Sequence, residues 1–123
     1  MAQILLIDDE TEVRESTEMV LIRAGHDVTS CDRADAGLEQ LRGGSFDLVI
    51  TDIVMPEKDG VAFLRELGEI NPDQKAMAIS GGAKQMPAAF GLQMAKMYGS
   101  DGVLFKPFTP DELNTAVNKL LDA

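Results

Sequence analysis

The sequence predicts an α/β fold of the doubly wound kind, an open parallel sheet with helices on both faces. Strand-like and helix-like segments alternate along the whole chain at the spacing of βαβ units. The strand-like runs are short, apolar and rich in branched side chains, as in strands buried on both faces. Polar and ionisable residues stand at the ends of these runs, on the edge where open α/β sheets place their ligands. A length of 123 residues with 45% apolar content suits one domain with a single core, needing neither disulfides nor a structural metal.

The first strand, Ile4-Leu5-Leu6-Ile7, ends in Asp8-Asp9-Glu10. A helix follows to about Ala24, with Val13, Thr17, Val20 and Ala24 on one face and Gly25 placed to close it. His26, a lone turn histidine, is assigned no chemistry. The second strand, Asp27 to Cys31, alternates more and reads as an edge. Helix two runs from about Arg33 to Leu41, with Asp32 as its N-cap, Ala34, Leu38 and Leu41 as its buried stripe and Gly43-Gly44 as its exit.

Leu48-Val49-Ile50 is the run most typical of a central strand, and it stops at a carboxylate, Asp52. Met55-Pro56 then blocks an immediate helix, because proline biases its predecessor out of the α region, and Asp59-Gly60 supplies a turn. Val61, Leu64 and Leu67 mark a short third helix that stops before Asn71-Pro72. The fourth strand, Met77-Ala78-Ile79, ends in Ser80-Gly81-Gly82. The fourth helix has Pro87 in its first turn, carries Ala88, Phe90, Leu92, Met94, Ala95 and Met97, and is weakened in its middle by Gly91. The fifth strand, Val103-Leu104-Phe105, ends in Lys106-Pro107. Thr109-Pro110-Asp111-Glu112 combines an N-cap, a proline at the first helical position and a capping-box glutamate, and Leu113, Ala116, Val117, Leu120 and Leu121 repeat on one face behind it.

Twenty-one acids against eleven Lys and Arg give a formal charge of -10, with no basic stripe to displace phosphate counterions, so direct nucleic-acid binding is not expected. The single cysteine, Cys31, cannot pair within the chain and reads as a small packing residue. No apolar run approaches the ~20 residues of a membrane helix. The chain enters its first strand at once, without room for a signal peptide, and the expected setting is the cytoplasm.

The ordered set Asp8-Asp9, Asp52 followed by Met55-Pro56 and Asp59-Gly60, then Ser80, then Lys106-Pro107-Phe108 resembles the response-regulator receiver domains of two-component signalling, across essentially all of the chain. The resemblance implies a flavodoxin-like sheet of five parallel strands in the order 2-1-3-4-5 with five helices. Residues 1–123 would form one receiver domain, with no output domain present. It implies a phosphoryl group accepted on Asp52 from a sensor histidine kinase or phosphotransfer protein. A downstream protein target would then bind the face made by helix four, strand five and helix five. Such a domain is not an enzyme beyond catalysing its own phosphorylation and dephosphorylation.

The residue chemistry supports that resemblance. A carboxylate can accept a phosphoryl group as an acyl phosphate, but neighbouring acids repel an anionic donor and one another. A divalent cation resolves the conflict, and Mg²⁺ favours carboxylates, water and phosphate oxygens. By resemblance, Asp9 and Asp52 ligate Mg²⁺ directly, Asp8 does so through water, and the backbone carbonyl of Val54 adds a protein ligand. Glu10 is a spectator in that scheme. Lys106 would neutralise charge developing on the phosphoryl oxygens, and would pair with Asp52 beforehand. The Lys106–Pro107 bond is a candidate cis peptide, as in the family. Ser80 offers a hydroxyl for hydrogen bonding to the phosphoryl group.

Two departures bear on output. Val103 stands where the family often carries an aromatic residue, three positions before the lysine. Residues 81 to 105 make the Ser80-to-Lys106 separation longer than usual. Reordering of residues 81 to 98 is therefore the expected route of response, through a glycine-containing loop from Ser80 to Met86. Among competing readings, an FMN binder of the same fold would need a Ser/Thr/Gly loop after strand one, and Asp8-Asp9-Glu10 is opposite in charge. An aspartate-nucleophile phosphohydrolase would show Asp-x-Asp there, with a lid. The remaining alternative is a receiver-like interaction module that works without phosphorylation, against which the intact set of acids, lysine and hydroxyl weighs.

Overall fold

The computed structural model describes residues 2–55, 58–81 and 88–122. Within them strands β1 (Gln3–Ile7), β2 (Asp27–Cys31), β3 (Leu48–Asp52), β4 (Ala76–Gly81) and β5 (Gly102–Lys106) alternate with helices α1 (Thr11–Arg23), α2 (Ala34–Gly43), α3 (Gly60–Ile70), α4 (Ala88–Tyr98) and α5 (Pro110–Leu121). All strand pairs are parallel and the sheet order is β2-β1-β3-β4-β5, as expected. The edges are β2 and β5, and the alternation of β2 matches its edge position.

The sheet splits the core in two. Leu5, Ile7, Val49 and Ala78 lie on one face, covered by Leu38 of α2 and by Phe63, Leu64 and Leu67 of α3. Ile4, Leu6, Leu48, Ile50, Met77 and Ile79 lie on the other, covered by Leu21 of α1 and by Leu113 and Val117 of α5. β3 is buried at every position and β1 at all but Gln3, which is why their sequences are apolar runs without alternation. Each fully buried Leu or Ile contributes about 2 kcal/mol relative to an exposed one.

Helix ends follow the sequence in part. Thr109 Oγ1 accepts from the Glu112 N–H at 3.1 Å, and Glu112 Oε1 accepts from the Thr109 N–H at 3.0 Å, completing the capping box of α5. Gly25 takes φ +96° after α1, a left-handed conformation that suits glycine. Other details differ. The N-cap of α2 is Arg33, not Asp32: Arg33 is extended and no side chain caps the helix, while Asp32 lies one residue too far back and pairs with Arg33 at 3.7 Å. Asp59-Gly60 is a helix start rather than a free turn, since Asp59 Oδ1 accepts from the Ala62 N–H at 2.8 Å as the N-cap of α3. On α1 the buried residues are Thr17 and Leu21, whereas Ala24 is exposed past the helix end.

His26 Nδ1 accepts from the Ala2 N–H at 3.2 Å, a structural role. Cys31 packs against the α2–α3 core, and burial, aided by the Asp32 charge, pushes its thiol above the ordinary value, away from reactivity. The expectations at Pro56, at Gly82 to Met86, at Pro87 and for the side chains of residues 88–92 lie outside the described residues.

Candidate functional site

The carboxyl ends of β1, β3, β4 and β5 form one rim. Parallel register places Ile7 beside Thr51, Asp52 beside Ile79 and Gly81 beside Lys106. Because side chains alternate along a strand, Asp52 shares the phase of Ile50 and Ile79 and belongs to the α1–α5 side. Asp8 follows Ile7 and shares the phase of Leu6, on that same side. Lys106 shares the phase of Leu104, which packs there too.

The acids and the lysine meet. Lys106 Nζ donates to Asp52 Oδ2 at 2.9 Å and to Glu10 Oε1 at 3.0 Å, and lies 3.8 Å from Asp8 Oδ2. To do so its side chain spans the end of β4, which separates β5 from β3. The Lys106–Pro107 peptide is cis. Burial disfavours the ammonium, but the hydrogen bonds to Asp52 and Glu10 and the charges of Asp8 and Asp52 outweigh it and hold the lysine above its ordinary range. Asp8 and Asp52 are buried, while Glu10 is exposed. Carboxylate oxygens of Asp8, Glu10 and Asp52 all lie within 4.8 Å of one another.

Glu10 is therefore no spectator. It occupies the N-cap position of α1, yet its side chain caps nothing there and turns to Lys106 instead. A third acid directly after Asp8-Asp9 was the only sequence signal for this role. Asp9 stands outside that group of three, half-buried, with Oδ1 enclosed and without a hydrogen-bond partner among the described residues. Asp8 Oδ2 is likewise enclosed without a hydrogen bond among the described residues, Oδ1 accepting the Glu10 N–H at 2.9 Å. Val54 is exposed, and its N–H reaches Asp52 Oδ1 at a long 3.4 Å. Ser80 is buried on the alternate phase of β4, and its hydroxyl meets Tyr98 Oη at 3.4 Å rather than the acids. Tyr98 stands at the end of α4, and no local sequence signal marks it for this contact.

Asp8 carries the electrostatic strain. Burial pushes its carboxyl up from 3.8 to about 6, with the Asp52 and Glu10 charges adding and the Glu10 N–H and Lys106 opposing. The folded state thus holds the proton more tightly than the unfolded chain does. Stability attributable to Asp8 is present at low pH, falls as pH rises from about 4 to about 6, and stays lost above. Asp8→Asn keeps the acceptor for the Glu10 N–H and cannot ionise. In chelator at neutral pH it is expected to be more stable than wild type by about 3 kcal/mol, from ~1.4 kcal/mol per pKa unit over the rise from 3.8 to about 6. Denaturant unfolding at pH 4 and pH 7 checks this, and a gain no larger at pH 7 would contradict the assignment.

Comparison with known proteins agrees with this geometry. The family model described as the response regulator receiver domain matches residues 4–118. The response regulator receiver protein CpdR of Brucella abortus is 38% identical over 125 residues, covering 100% of this chain and 99% of that one. The sensor kinase CckA of the same organism is 37% identical over 126 residues, covering 98% of this chain but 13% of the kinase. A solved response regulator receiver domain protein from Clostridium thermocellum superposes with a TM-score of 0.85 at 29% identity, covering 99% of this chain and 95% of that one.

Proposed function

The chain belongs to the response regulator receiver domain family, and from that premise we propose that Asp52 is the residue on which it accepts a phosphoryl group. As a receiver domain it is a two-component signalling module and not a classical enzyme. The observation that carries the assignment is the buried Asp52 carboxylate held 2.9 Å from Lys106 Nζ at the carboxyl edge of the sheet. An Asp52 oxygen attacks phosphorus, and the bond from phosphorus to the donor breaks. The donor atom, a histidine ring nitrogen or an acetyl oxygen, keeps the electron pair. Lys106 already stands at the attacking carboxylate, placed to take up charge on the phosphoryl oxygens. Ser80 completes the set as a hydroxyl donor to the transferred group.

Receiver domains bind Mg²⁺ at an acidic cluster, and the residues here fit that ion. Among the described residues three carboxylates gather within 4.8 Å, and Asp8 Oδ2 and Asp9 Oδ1 are enclosed without hydrogen bonds. Asp9 and Asp52 would hold Mg²⁺ directly, Asp8 through water, with the Val54 carbonyl as a further ligand and Glu10 at the margin. When bound, the ion supplies the positive charge that lets an anionic donor approach this acidic rim.

The donor is a sensor histidine kinase or a phosphotransfer protein. The downstream target binds the α4–β5–α5 face, where Met97 is exposed at 74%. The setting is cytoplasmic; no helix among the described residues is long and apolar enough to cross a membrane. Incubation with acetyl phosphate and Mg²⁺ is expected to give one phosphoryl adduct by intact-mass spectrometry, lost in excess chelator. A module that works without phosphorylation would give none, and an adduct of undiminished yield in chelator would sever the acceptor from the metal.

A further inference from the structure

Ser80 and the acid cluster face opposite ways. Asp8, Asp52 and Lys106 follow the strand phase that feeds the α1–α5 core, whereas Ser80 follows Ala78, on the side of α2 and α3. The Ser80 hydroxyl is occupied there, 3.4 Å from Tyr98 Oη. The Tyr98 side chain packs on the same core cluster as Val103 and Ala78, so its ring bridges the end of α4 to the sheet. Asp101 Oδ2 accepts the Ala76 N–H at 2.8 Å just beyond, which fixes the turn between α4 and β5 to the start of β4.

We propose that Tyr98 is a positioning residue that holds the Ser80 hydroxyl away from Asp52, and that it is released when a phosphoryl group at Asp52 takes Ser80. The inference rests on the assignment of Asp52 as phosphoacceptor. A phosphoryl oxygen can only accept, so Ser80 must present its single O–H to it. Swinging that O–H towards Asp52 moves Ser80 to the other side of the sheet edge and ends the contact with Tyr98. Tyr98 then loses its polar partner, and the end of α4 that carries it is freed to respond. The link between the reacting group and α4 is thus a side chain on the helix itself, not one on β5, where Val103 has no ring to move.

The sequence supplies an unusually clean probe. Tyr98 is the only tyrosine and there is no tryptophan, so near-ultraviolet emission reports this one side chain. The full chain is titrated with beryllofluoride in Mg²⁺, binding being followed by fluorine NMR and Tyr98 by its emission. Saturation is expected to change the emission. Tyr98→Phe keeps the ring and removes the restraint, so it should bind beryllofluoride about two- to fourfold more tightly, the net worth of a long hydrogen bond. A tyrosine with only a packing role would leave that affinity unchanged. Bound fluoride with unmoved emission, or a Phe variant that binds equally or more weakly, overturns the role of Tyr98 alone. Absence of bound fluoride in the wild-type chain overturns the phosphoacceptor assignment and this proposal with it.

Discussion

Asp52→Asn is expected to yield no phosphoryl adduct with acetyl phosphate and Mg²⁺ while remaining folded. The amide has nearly the same shape, and its oxygen can still accept from Lys106 Nζ, which Asp52 meets at 2.9 Å. It lacks the anionic oxygen that, under the proposed assignment, attacks phosphorus. Removing one member of a buried ion pair usually costs several kcal/mol because the other charge is stranded. Lys106 is not stranded here, since Glu10 and Asp8 remain at 3.0 and 3.8 Å. Loss of repulsion between Asp52 and Asp8 offsets part of the lost pairing, so stability should change by no more than about 2 kcal/mol. Intact-mass spectra and a denaturant curve on the same sample check both halves. An adduct of wild-type yield on the variant would move the acceptor elsewhere.

Gly60→Ala is expected to be the most damaging small substitution near the site. A Cβ there would press on the backbone carbonyl oxygen of Asp52 and come 2.7 Å from Ile53 Cα. Both obstacles are backbone atoms, which cannot rotate aside. Either the β3–α3 connection shifts, breaking the Gly60 N–H bond to the Ile53 carbonyl at 2.8 Å, or Asp52 itself moves. The expected loss is on the order of 3 kcal/mol, together with impaired phosphorylation. Gly68, on the same helix, provides the contrast: an added Cβ meets nothing within 4 Å. Gly68→Ala should be stabilising by roughly 0.5–1 kcal/mol through helix propensity alone. Urea unfolding of the two variants tests the pair, and equal stabilities would remove the close approach from the account.

Much of this architecture is legible in the sequence because β1 and β3 announce themselves as uninterrupted apolar runs. The capping box of α5 is similarly legible, being local and specific in its residue types. The misread features depend on direction or distance rather than on residue type. Asp59-Gly60 reads equally as a turn or as a cap, since both favour short polar residues and glycine. The stripe read on α1 takes in Ala24 and misses Leu21. Met19 to Ile22 is an unbroken apolar run that points all round the helix, and only packing decides that Leu21 is buried while Met19 and Ile22 are exposed. The role of Glu10 is not legible, because nothing in a run of three acids says which one turns towards a lysine ninety-six positions later. The Tyr98–Ser80 contact joins the ends of α4 and β4, and no local pattern encodes it.

Among the described residues the two halves of the core have no member in common. Between them lies a single layer of strands, so the sheet is a party wall: a rearranged side chain in one room is felt in the next only if a strand itself shifts. The carboxyl rim is where the wall ends. A small anion seated there can be gripped by Lys106 from one side and by Ser80 from the other. A phosphoryl group on Asp52, the acceptor proposed above, would act as a stitch across the wall, tying two halves that otherwise relax separately. That makes the rim the cheapest place in the molecule from which to address both helical layers at once.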